Sequence, residues 1–308
     1  MTNFQSPWPQ EVEEIYHSST LDDSRQPALF FAPKTRLARP LLVGLHQWGA
    51  DYFDPDSAPY AEWCICKEWV FIHPNFRGPN IRPEACGSPL AVQDILNAVA
   101  YAKTQANVDS SRIYLVGASG GGHAGLMMAA KAPQVWAGVS VWVPISDLSA
   151  WYFESLSRMQ KYAWHMEAAC GGKPDEGPDV MREYFERSPI HHLYYAKSTP
   201  IDINAGIHDG WTGSVPVSQS LRAFNALADD SDKISENDIQ FCVDNESVPQ
   251  ALETDTNDPS FGSTRILFRR ASAKARITIF DGGHDCLPET GLNWLTGQIK
   301  VGKEAVFV

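Results

Sequence analysis

The sequence predicts an α/β protein built on a mostly parallel, doubly wound sheet, and three observations carry that expectation. Nearly continuous apolar runs at 40–45, 69–73, 113–116, 136–143 and 200–206 have the composition of strands buried on both faces. Segments with helical spacing separate them, the rhythm of strand–helix–strand crossovers. One of the runs leads straight into Gly117-Ala-Ser119-Gly-Gly121 and then a small-residue segment, 124–132. That order reads strand, tight turn, helix, with glycines removing the Cβ atoms that would collide around a serine in a strained conformation. Such a turn lifts the hydroxyl clear of the sheet, and the helix behind it aims its N–H groups and positive dipole end at any oxyanion that forms there. Taken alone, Gly-x-Ser-x-Gly also fits an ordinary glycine-rich turn with an incidental serine.

The size suits this class. With 308 residues, 44% hydrophobic and 20% charged, the chain can bury a large core, and we expect a single α/β domain over 1–308 with insertions. A formal net charge of -12 argues against binding a phosphate backbone, so no nucleic acid is expected. No window approaches the roughly 18 uninterrupted apolar residues of a membrane span. The start, Met1-Thr-Asn-Phe-Gln-Ser-Pro-Trp-Pro9, has neither a basic nor an apolar leader segment, so a cytoplasmic location is the default, export being left open if a signal was removed. Six cysteines stand at 64, 66, 86, 170, 242 and 286. Cys64-x-Cys66 lacks the two-residue gap of zinc knuckles and redox pairs, so ordinary thiols are expected and no metal site; an exported protein would leave a disulfide open.

In chain order, 11–20 and 27–32 read as two opening strands, antiparallel at a sheet edge. The strand 40–45 ends in His46-Gln47-Trp48-Gly49. A helix over 58–67 leads to the strand 69–73 and to Pro74-Asn75-Phe76-Arg77-Gly78. Apolar residues Leu90, Ile95, Leu96, Val99 and Ala102 place a helix over 88–106 with Ser88 as N-cap. After the Ser119 turn, the strand 136–143 ends in Pro144-Ile-Ser-Asp147. The aromatic-rich stretch 148–198 breaks the rhythm and reads as a small helical cap over the carboxyl edge, or equally as a helix pair packed on the core. Strand 200–206 and Ile207-His208-Asp209 precede a helix over 217–228. The acidic, poorly periodic 229–263 is expected to be a surface excursion. A hairpin over 265–280 ends in Asp281-Gly282-Gly283-His284, and a helix over 289–299 closes the chain.

Ser119, Asp209 and His284 thus fall at the carboxyl ends of parallel strands, the edge where open α/β sheets place ligands. A serine is a poor nucleophile without a base. An imidazole titrating near ~6.5 can take its proton and return it to a leaving group, and a carboxylate fixes the imidazole tautomer. Asp147 is the rival acid, Asp202 should point into packing, and Asp285 reads as a surface or capping residue. The oxyanion hole needs two inward N–H groups, for which Gly120 and Trp48 are the candidates. The Trp48 indole is also a candidate wall of an acyl pocket, its alternative role being a loop anchor.

With these residues in view, the chain resembles the α/β-hydrolase superfamily, most closely the catalytic domain of the prolyl-oligopeptidase (S9-like) branch and its single-domain esterase relatives. The resemblance covers about 27–300. It rests on Pro74-Asn-Phe-Arg-Gly78, Asp94, Val108-Asp-Ser-Ser-Arg112-Ile, the Ser119 turn, Ser188-Pro189, Gly206-Ile-His-Asp209 with Val215-Pro216, and Gly283-His284. It implies an α/β-hydrolase fold with an eight-stranded sheet, Ser119 as nucleophile, Asp209 as acid, His284 as base, and no cofactor. Three features depart from the pattern: Gln47 stands where relatives usually carry glycine, Gly210–Ser214 lengthens the acid loop, and no β-propeller precedes the domain. On that last ground the expectation is a serine carboxylesterase acting on small-molecule or glycan esters, with an S9-like oligopeptidase or a non-catalytic hydrolase-fold binding protein as alternatives. Substrate contacts are expected from Trp48, Trp151, Trp164 and Trp211, whose faces would stack on sugar rings, and from Arg77, for which a structural pairing with Asp94 is the competing role. Oligomerisation is left open.

Overall fold

The computed structural model describes residues 7–300 apart from residue 255; the first six residues, part of the leader reading above, lie outside it. Nine strands form one sheet: β1 (Glu13–Ser18), β2 (Arg25–Phe31), β3 (Arg39–Leu45), β4 (Val70–Pro74), β5 (Val108–Ala118), β6 (Gly138–Trp142), β7 (Ile201–Gly206), β8 (Ile266–Ser272) and β9 (Ala275–Phe280). Their order is β1-β2-β4-β3-β5-β6-β7-β9-β8. The six neighbours β4, β3, β5, β6, β7 and β9 run parallel; β2 and β8 run against them, and β1 pairs antiparallel with β2. The described residues thus hold nine strands where the resemblance implied eight, and each falls on a segment read as a strand, β8 and β9 forming the 265–280 hairpin.

The apolar strands are sorted between faces by their two-residue period. Leu41, Val43, Leu45, Ile113 and Leu115 pack with one face's core, whereas Leu42, Tyr114 and Val116 pack with the other's. The first face is covered by α2 (Pro89–Gln105), α3 (Gly120–Lys131) and α7 (Val217–Leu227), the second by α1 (Ala58–Lys67) and α9 (Pro288–Thr296). Ser88 caps α2 as its position suggested, its hydroxyl accepting from the Ala91 N–H at 3.1 Å.

Residues 148–198 hold α4 (Leu148–Ser157), α5 (Tyr162–Cys170) and α6 (Pro178–Arg187). These helices share an apolar cluster with Trp48 and Val215, which come from loops at the carboxyl edge. The stretch 229–263 is more ordered than its composition suggested. It contains α8 (Glu236–Asn245), whose Ile239 and Cys242 are buried against α7, and Phe261, also buried. Ser235 caps α8 by accepting from the Asp238 N–H, a signal masked by the surrounding acidic residues. All six cysteines are free thiols. Among the described residues no helix is long and apolar enough to cross a membrane.

Candidate active site

The site begins where β5 ends. Ser119 sits at φ 55, ψ -115, between the last strand residue, Ala118, and the first of α3, and is buried, with 6% of its surface exposed. Two hydrogen bonds hold this strained residue: its N–H donates to the Trp142 carbonyl at 2.8 Å, and its carbonyl accepts from the His123 N–H at 2.9 Å. The chain can turn this sharply because Gly117 packs directly on the backbone of Gly121, where a Cβ would lie 2.4 Å from the Gly121 oxygen.

The loop after β3 lies against the same turn. A Cβ at Gly120 would fall 2.3 Å from the Trp48 nitrogen, so the two backbones are in contact beside Ser119. Among the described residues neither the Trp48 N–H nor the Gly120 N–H is donated to a protein acceptor. Gln47, the departure from the family pattern, is accommodated by Asp54. That carboxylate accepts from the Gln47 N–H at 3.1 Å, while the Gln47 amide donates to Asp56 at 2.7 Å. Asp54 was not singled out from sequence, although Asp54-Pro55-Asp56-Ser57 is a recognisable turn signal. Below the loop, His46 is a structural histidine. It is fully buried and stacked on Phe76 at 3.9 Å, with its ring nitrogens 2.9 Å from the Gln47 and Asn75 carbonyls, one of which accepts from the single N–H of the neutral ring; burial lowers its pKa.

Asp209 and His284 meet. His284 Nδ1 lies 2.7 Å from Asp209 Oδ2, and the other carboxylate oxygen accepts from the N–H groups of Gly210 (2.9 Å) and Val215 (3.1 Å). A carboxylate can only accept, so Nδ1 carries the proton and Nε2 offers a lone pair. Asp209 is buried, and His284 keeps 23% of its side chain accessible. The hydrogen bonds stop there: among the described residues none joins Ser119 Oγ to His284 Nε2. In unliganded sites that bond is often long and tightens around a substrate. The rival acids are occupied elsewhere. Asp147 caps α4 by accepting from the Ala150 N–H, Asp202 is buried against Arg276, and Asp285 accepts from the Gly283 N–H within its own turn.

Three expected substrate contacts, Arg77, Trp151 and Trp48, are corrected. Arg77 is committed inward, donating to both oxygens of the buried Asp94, to both of Asp22 and to Ser19, which leaves only a tenth of its side chain accessible. Its charge is compensated by two carboxylates and its donors are directed into the protein. Trp151 is interior: it is 1% exposed, its indole N–H donates to the Ser214 carbonyl at 2.8 Å, and it packs edge-on against Trp48 at 4.7 Å. Trp48 is equally buried, so neither tryptophan presents an open face for a sugar ring. Trp211 and Trp164 are exposed, and the Trp211 indole donates to the Val243 carbonyl on α8. A cavity of about 1110 Å³ lies beside the acid–base turns, and Ser119, Asp209 and His284 are not among the residues that line it. His208 and Asp281 line it, together with the polar residues of 246–267. Among the described residues no group of three or more His, Cys, Asp or Glu could hold a metal ion.

A strained serine at a strand-to-helix turn, with a buried carboxylate–imidazole pair on the same edge of a doubly wound sheet, defines an α/β-hydrolase. The profile of the prolyl oligopeptidase family matches residues 90–246, just over half of the chain and including both Ser119 and Asp209. The chain belongs to that family of serine hydrolases. It is 24% identical over 221 residues to acylamino-acid-releasing enzyme 2 of Oryza sativa subsp. japonica, covering 67% of this chain and 28% of that one. Its fold is similar to the acylaminoacyl peptidase of Pyrococcus horikoshii, with a TM-score of 0.63 at 17% identity over 95% of this chain and 42% of that one. It is also similar to a puromycin-hydrolyzing peptidase of Mycobacterium tuberculosis, with a TM-score of 0.60 at 16% identity over 92% and 38%. The chain therefore spans less than half the length of these relatives.

Proposed function

We propose that the protein is a serine peptidase that cleaves short acylated or aminoacyl amides through an acyl-enzyme. The observation that carries this reading is the 2.7 Å bond between His284 Nδ1 and Asp209, on the same sheet edge as the strained Ser119. In the proposed cycle His284 Nε2 accepts the Ser119 hydroxyl proton as Oγ adds to the carbonyl carbon. The N–H groups of Trp48 and Gly120 receive the resulting oxyanion, and Asp209 stabilises the imidazolium. Collapse of the intermediate expels the amine, which takes the proton from His284; a water then repeats the addition and frees Ser119.

The choice of amide over ester rests on the relatives, whose names describe release of acylamino acids, acylaminoacyl peptidase activity and puromycin hydrolysis. The ester preference drawn from the sequence leaned on the short stretch ahead of residue 27, which carries no weight beside relatives matched over only part of their length. Its glycan form is weakened further because Trp48 and Trp151 are buried edge-on against each other.

Fluorophosphonate labelling of the wild type and Ser119→Ala tests the chemistry. A panel of N-acetyl-aminoacyl p-nitroanilides, p-nitrophenyl acetate and acetylated xylan tests the class. We expect labelling that Ser119→Ala abolishes, with turnover of the anilides. An unlabelled wild type would refute the hydrolase, and turnover of esters without any anilide would return the protein to the carboxylesterases.

A further inference from the structure

His208 directly precedes Asp209, yet its side chain turns away from the acid–base pair and toward the cavity beside it. Its Nδ1 lies 3.0 Å from Glu246 Oε2 at the C-terminal end of α8, and its Nε2 lies 3.1 Å from Asp281 Oδ1 in the turn that carries His284. The backbone repeats the connection. The His208 N–H donates to the Gly282 carbonyl at 3.0 Å, and the His208 carbonyl accepts from the N–H groups of Trp211 and Thr212. One residue therefore joins the Asp209 turn, the His284 turn and α8.

Neither carboxylate can donate, so both bonds exist together only while the imidazole is protonated; the neutral ring has one N–H and must release one arm. Burial pulls the pKa of His208 down, but the hydrogen bonds to Glu246 and Asp281 outweigh it and the net displacement is upward. The other ionisable groups nearby are Asp209 in its own turn and Glu253, Asp258 and Arg265 around the cavity.

We infer that His208 is a positioning residue, a protonated clasp that holds the turn of Asp209 against the turn of His284 and so sets the imidazole in line with Ser119. This rests on the proposed catalytic roles of those three residues. A misplacement on the order of 1 Å in such a constellation can cost as much as ~100-fold in rate. Loss of the clasp should act on kcat, because His208 itself touches no reacting atom.

The test is kcat and KM from about pH 5 to 10 for the wild type, His208→Ala, His208→Gln, Glu246→Gln and Asp281→Asn, with thermal melts to verify folding. Wild-type activity should fall as pH climbs through the raised pKa of His208. His208→Ala is expected to lower kcat about tenfold with KM within about twofold, and to lack the alkaline decline. His208→Gln, which can donate to one carboxylate, should lie between and be equally flat on the alkaline side. If His208→Ala does not fold, the two carboxylate variants decide, Asp281→Asn being the more damaging because its arm reaches the His284 turn. Unchanged kcat and an unchanged alkaline limb in the folded variants would overturn the clasp while the hydrolase stands. A wild type that neither labels nor turns over would instead remove the catalytic reading beneath it.

Discussion

The two halves of the site are built in different ways. The nucleophile half, Ser119 with Gly120 and Trp48, is held by backbone lying on backbone, with less room than one methyl group between Gly120 and the Trp48 loop. The acid–base half, Asp209 and His284, shares such packing at its base, where Gly206 lies on the Gly282–Gly283 backbone, and adds polar ties between its two turns: Gly210 and Val215 to Asp209, His208 to Asp281 and Glu246. Close packing admits one arrangement and costs heavily when disturbed, whereas polar ties can be removed one at a time and respond to pH. A donor aimed at a developing oxyanion has to be rigid; an imidazole that accepts and returns a proton needs orientation with some freedom to adjust.

Substitutions on either side break or sharpen that contrast. Ser119→Ala should have the largest effect, about a 10⁶-fold loss of kcat with folding intact, read by steady-state hydrolysis and by probe labelling. Asp209→Asn should cost about 10⁴-fold, because an amide can donate to Nδ1 and turn Nε2 into the protonated nitrogen; a much smaller loss would move the acid elsewhere. Gly120→Ala drives a methyl group into the Trp48 backbone and should displace an oxyanion donor, costing on the order of 10²–10³-fold in kcat with little change in KM. Full activity there would show that the nucleophile half yields as the other half does. Asp147→Ala separates the rival carboxylate from the triad: loss of the α4 cap should lower stability by about 1 kcal/mol in denaturant unfolding, with hydrolysis near the wild-type level.

Much of this could be read from residue order. The uniformly apolar strands, the glycines around Ser119, the Ser88 cap and the hairpin before His284 are local, and local chemistry specifies them. The expectation failed where a residue's partner is distant in the chain. Arg77 takes the structural pairing with Asp94 that its sequence position allowed, but nothing in its neighbourhood discloses the second carboxylate, Asp22, 55 positions away. Trp151 read as a rim residue because its contact with Trp48 joins segments about 100 residues apart. The acidic run around α8 concealed Ile239 and Cys242, two apolar positions that only packing against α7 makes meaningful.

Residue order alone thus settled the sheet, the strained turn at Ser119 and the candidate acid and base, since periodicity and backbone sterics act over a few residues. Folding decided which carboxylate His284 reaches, which tryptophans are spent on each other, and that His208 spans three segments. Those outcomes depend on distances between parts of the chain that approach only once the core is assembled, and one-dimensional spacing does not encode them.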